Sequence, residues 1–139
     1  MKTELERQLI QQFPEMFQGV KKPLRESLMG FGCECGDGWY GLIEQVCLDI
    51  KYLKTPIEWT QIKEKFGGLR MYFRFLGYPK QAEVDEVYKV IDRAEEQSFK
   101  ICEQCGEVGK RQTDHYWVRT ECDACRERRV HVSPKDASE

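Results

Sequence analysis

Four cysteines in two pairs constrain this chain more than any other feature. Cys102-Glu103-Gln104-Cys105-Gly106 opens the stretch and Cys122-Asp123-Ala124-Cys125-Arg126 closes it, with sixteen residues, 106–121, between the pairs. Paired thiolates at that spacing let a chain wrap a tetrahedral Zn2+. Gly106 permits the positive φ that a tight knuckle around a metal needs. Residues 123–129 read as the opening of a helix, which places the Cys122 and Cys125 sulfurs near backbone N–H donors. Segments 110–113 and 116–120 are expected to form a hairpin turning near Asp114. Disulfides within such pairs belong to thioredoxin-like βαβ contexts, and the sequence has no such context. The expectation is one structural Zn2+ on Cys102, Cys105, Cys122 and Cys125. Four protein ligands leave no open position for a substrate.

Knuckle, hairpin and helix in that order resemble a treble-clef zinc finger. The 139-residue chain is long enough for one domain carrying this finger. The reading divides it into an α+β body over 1–100, a finger packed on the body over 101–131, and a flexible tail over 132–139. Seven cysteines is an odd count, which argues against a full disulfide framework. With no apolar run of membrane-spanning length and a charged start (MKTELERQLIQQF), a cytoplasmic location is expected. A net charge of -2 excludes a generic polyanion binder, so the distribution of charge carries the information.

Along the chain, residues 3–12 read as a helix capped by Thr3, with Glu6 at the capping-box position and Pro14 ending it. Cys33-Glu34-Cys35-Gly36-Asp37-Gly38 reads as a loop. Trp39, Leu42, Ile43, Val46, Cys47 and Ile50 then recur at helical spacing and are expected to line one buried face. Cys47 in that stripe reads as a small core hydrophobe. A second metal on Cys33, Cys35 and Cys47 would lack an evident fourth ligand. Period-two alternation on both sides of Gly67-Gly68 predicts a hairpin with those glycines as its two turn residues, or a bulged single strand. From 81 to 100 a helix is expected with Val84, Val87, Tyr88, Ile91, Ala94 and Ser98 on one face. The predicted fold is α+β, with helices packed on a small antiparallel sheet and the finger docked without a linker.

Three stretches together resemble small proteins encoded by bacteriophages and prophages. They are Cys-Gly-Asp-Gly-Trp within 35–42, Lys-Glu-Lys-Phe-Gly-Gly-Leu-Arg and its aromatic strand within 63–73, and the finger over 102–125. The resemblance implies a phage origin and a folded zinc-containing protein; it carries no activity to any residue.

Catalytic patterns are sparse. Asp114-His115 lies where zinc-framed HNH nucleases place an Asp-His pair, but such chemistry needs a second ligand completing an open ion site. Arg126 follows the last cysteine, and His131 is the one other histidine. No phosphate-binding glycine loop or serine elbow occurs. The expectation is no enzyme. Binding is the better candidate: over 51–79, Lys51, Lys54, Lys63, Lys65, Arg70 and Arg74 face only Glu58 and Glu64. Lys63, Lys65, Arg70, Tyr72 and Arg74 form the candidate surface. The acidic outer side of helix 81–100 opposes it, which suits a protein partner. Nucleic acid is the alternative occupant, through the same hairpin residues with Arg126, Arg128 and Arg129. The bland reading is a solvated sheet face whose long side chains cover apolar surface.

Overall fold

Alternating residues build the central hairpin of the computed structural model, which describes residues 1–113 and 116–138, with side chains through Val130. Strands β2 (Ile57–Lys65) and β3 (Gly68–Phe75) pair antiparallel in a register running from Ile57↔Phe75 to Lys65↔Gly68. A register shift between Trp59 and Gln61 marks a bulge. The turn is displaced by one residue from expectation. Phe66 and Gly67 occupy it, with φ of 53° and 81°, as a primed two-residue turn requires. Gly68 is already paired with Lys65, and its missing side chain serves a different purpose. A Cβ there would lie 2.7 Å from Cζ of Phe99. Phe66 is therefore exposed at the tip instead of joining the buried alternation.

The sheet also gains a short parallel strand, β1 (Cys33–Glu34), paired with Ile62 and Lys63. The three-stranded sheet is thus mixed, in the order β1-β2-β3, not purely antiparallel. Two residues are too few for a period to announce itself.

Three helices surround this sheet: α1 (Thr3–Gln12), α2 (Tyr40–Leu53) and α3 (Gln81–Ser98). Leu9, Trp39, Ile43, Val46, Cys47, Ile50, Val87 and Ala94 join Ile57, Trp59, Ile62, Leu69 and Met71 in one buried cluster. The expected α2 stripe holds except at Leu42, which is only half-buried. Thr3 does not cap α1. It is the first helical residue, no side-chain cap is made, and Glu6 instead accepts the Cys33 amide at 2.8 Å. A buried strand amide competes better for that carboxylate than a solvent-facing helix end. Tyr88 of α3 rests against Phe73 and Phe75, and Ser98 Oγ accepts the Leu69 amide at 2.9 Å. No described helix is long and apolar enough to cross a membrane.

The C-terminal part follows the predicted order. A two-stranded antiparallel sheet, β4 (Lys110–Gln112) and β5 (Arg119–Glu121), precedes α4 (Asp123–Ser138). How 132–139 packs, and where Asp114, His115 and His131 point, lies outside the described side chains. The α+β class with a cysteine-rich finger is the observed fold.

Candidate metal centre

Each cysteine of the finger is delivered by a different local device. Cys102 follows α3 through a short bridge between Ile101 and Val108, and its amide donates to Glu107 O at 2.7 Å. Gly106, at φ 83°, closes the knuckle and donates to Cys102 O at 2.9 Å. Cys122 sits between β5 and α4, and Cys125 lies in the first turn of α4. The result brings all four sulfurs within 4.8 Å of one another, with Cys105 and Cys122 at 3.7 Å. A tetrahedral ion with metal–sulfur bonds of about 2.3 Å needs sulfur–sulfur edges near ~3.8 Å. The four cysteines fit a metal ion.

Their electrostatics agree. Burial pushes the Cys102 thiol up, but backbone donors of Cys122, Cys105 and Gln104 outweigh it and bring the thiol down to about 7. Cys125 goes the other way, to about 12, through burial and the neighbouring thiols, although Arg128 donates to its sulfur at 3.1 Å. Four thiols cannot all ionise at this distance without a cation among them. Among the described residues, this is the only group of three or more histidines, cysteines or acids placed to hold a metal. Cys33, Cys35 and Cys47 form no such group. All three are buried, and burial raises each thiol, to about 12 for Cys33 and Cys47, so they are inert core residues.

The knuckle is also a docking face for the two glycine-rich motifs. Glu103 between the first two cysteines accepts Gly38 N on its carbonyl at 2.7 Å and Gly36 N on its carboxylate at 2.9 Å. A Cβ on Gly38 would lie 2.6 Å from Gly106 N and 2.7 Å from the Glu103 carbonyl carbon. Trp39 Nε1 donates to Ile101 O at 2.9 Å. On the other side, the Phe66–Gly67 turn abuts the finger strands. Arg111 Nε donates to Phe66 O at 2.8 Å and Thr120 Oγ1 to Gly67 O at 2.5 Å. Glycines are needed here because backbone meets backbone. The Gly36–Gly38 loop, the β2–β3 turn and the finger are thus packed against one another.

The candidate binding residues share the outer face of the hairpin only in part. Lys63 stands opposite Arg70, and Tyr72 opposite Gln61. Arg74 is drawn to Glu58, a carboxylate buried to 2% exposure that also takes Lys22 at 2.8 Å. Arg70 pairs with Glu95 of α3 at 3.5 Å. Lys65 leans over the Phe66 ring. In the finger, Arg128 serves Cys125 and Arg129 clamps Glu121. Sequence reasoning missed Glu103, Thr120 and the exposed pair Tyr116 and Trp117. The first two act through partners distant in sequence. The aromatic pair carried a legible signal, two large rings in a short polar hairpin.

No protein-family model, curated protein or solved structure matches the chain.

Proposed function

We propose that this chain is a non-enzymatic binding protein, shaped by one structural Zn2+ on Cys102, Cys105, Cys122 and Cys125, that acts by contact on another protein. One observation carries the reading. The glycine and cysteine motifs that dominate the sequence are consumed internally, bolting the Gly36–Gly38 loop, the β2–β3 turn and the finger together. They build a rigid scaffold, and the surface around it is left to do the work. Tetrahedral all-sulfur donors favour zinc or iron, and the redox-silent ion suits a purely structural role. Four thiolates fill its coordination shell, so the ion offers no place for a reacting group.

Segregated charge supports a protein partner. Lys63 and Lys65 lie together beside the β2–β3 turn, and Asp85, Glu86, Asp92 and Glu96 on the exposed side of α3. The phage resemblance supports a partner in the bacterial cytoplasm, either a host protein or a defence protein. The nucleic-acid reading is weakened because Arg70, Arg74, Arg128 and Arg129 all have internal partners.

Affinity capture with zinc-loaded protein in a nuclease-treated bacterial lysate tests the reading. A retained protein that re-forms a stoichiometric complex when purified supports it. No protein captured there, together with tight binding to purified DNA or RNA whose affinity falls steeply with salt in proportion to phosphates contacted, contradicts it.

A further inference from the structure

Between the β2–β3 turn and the finger hairpin lies a cleft of about 270 Å³, lined by residues 63–66 of the β2–β3 turn and by Tyr116, Trp117 and Val118. We propose that this cleft is the contact site and that it takes an acidic, extended segment of a partner protein bearing one aromatic or aliphatic anchor. The proposal rests on the protein-contact reading above and names the place and chemistry of that contact.

Three rings stand in water here: Tyr116 at 105%, Phe66 at 60% and Trp117 at 58% exposure. Trp39 and Trp59 are fully buried; rings are also exposed at Phe31, Tyr52 and Tyr78, but here three of them line one cleft together with two lysines. Trp and Tyr are the residues on which interface energy concentrates, because they bury much area at low entropy cost. The volume falls below the roughly 300 Å³ at which small-molecule pockets begin, so an inserted side chain fits better than a whole ligand.

Charge sets the rest of the occupant. Lys63 and Lys65 line the cleft, and the Arg119 guanidinium stands 5.8 Å from the Trp117 ring centroid. The one lining acid, Glu64, is turned inward to accept Gly67 N at 3.0 Å. The face is cationic and complements carboxylates flanking an anchor. It is a poor phosphate track, because a single-stranded site follows about four or more nucleotides. The neighbouring Arg70 and Arg74, which would extend such a track, are committed to Glu95 and Glu58. The cleft is also preorganised, since its two walls are joined by the Arg111–Phe66 and Thr120–Gly67 hydrogen bonds.

The test uses the full zinc-loaded chain and three labelled probes. These are a twelve-residue peptide of Asp and Glu around one Phe, the same peptide with Ser for every acid, and dT12. Polarisation measures affinity, and Trp117 fluorescence reports the location, because Trp39 and Trp59 are both 0% exposed. The acidic peptide should bind and shift the tryptophan emission, and the serine peptide and dT12 should bind at least tenfold more weakly. The Lys63→Glu/Lys65→Glu double variant should lose at least tenfold in affinity at an unchanged melting temperature. Where that variant is unstable, Lys65→Ala and Trp117→Ser at the surface should each weaken binding. Undiminished binding by these variants, tighter binding of dT12, or no binding of the acidic peptide overturns the proposal. A captured partner that still binds the double variant would sink the cleft and leave the protein-contact reading standing. Peptide binding with no protein captured would do the reverse.

Discussion

Gly38 is closely confined by the knuckle. Its amide donates to Glu103 O, and any Cβ would overlap the knuckle backbone at Cys102, Glu103 and Gly106. Gly38→Ala is expected to cost about 1–3 kcal/mol by overpacking and to weaken metal binding, read together as a lowered denaturation midpoint and a faster loss of metal to a chelator. Glu58 sets a second residue-scale expectation. Burial alone would raise its carboxyl, but hydrogen bonds from Lys22 and Arg74 outweigh it and hold the group below its usual range. The unfolded chain therefore binds the proton more readily than the folded one. Stability from Glu58 is full above about pH 4.3, the ordinary glutamate value, and is lost as pH falls through the lowered folded value. Glu58→Gln should cost about 1–3 kcal/mol at neutral pH and flatten that acid slope in denaturation curves taken between neutral and acid pH. Neither role was legible in the sequence. The four cysteines were, because a metal knuckle is a local pattern, whereas Glu58 and Glu103 act on residues far away in the chain.

At the scale of elements, the helical stripe of α2 was readable because its period repeats over four turns. Its edge was not. Ile43 is 0% exposed, while Leu42 beside it is only half-buried. Ile43→Ala should therefore cost about 2–5 kcal/mol, and Leu42→Ala distinctly less, as thermal unfolding of the two variants would show. Equal losses would mean that the helix is rotated from the described orientation. The β2–β3 hairpin was readable as a pair of strands, but its turn slipped by one residue. Alternation alone cannot say which glycine turns and which receives a neighbour. Gly68 makes room for the Phe99 ring, and Gly67 at φ 81° turns the chain beneath Thr120. β1 escaped notice because two residues between glycine-rich segments look like loop until a partner strand supplies their hydrogen bonds.

For the whole molecule, the finger acts as a keystone. The Gly36–Gly38 loop leading into α2, the β2–β3 turn and the C-terminal end of α3 all meet it. Removing the ion should then disturb the body as well as the finger, since metal binding and folding are coupled wherever the site is built by the fold. Cys122→Ser should have the same effect. A finger tethered as an independent module would release its metal and leave the core tryptophans Trp39 and Trp59 undisturbed. The deciding measurement is native mass spectrometry with metal analysis, followed by chelator titration monitored by near-ultraviolet circular dichroism. The account predicts one zinc per chain, four reduced thiols at Cys102, Cys105, Cys122 and Cys125, and loss of the core tryptophan signal in step with loss of zinc. A folded chain without metal, iron in place of zinc, disulfides among those cysteines, or a body that keeps its signal after the zinc has gone would contradict it.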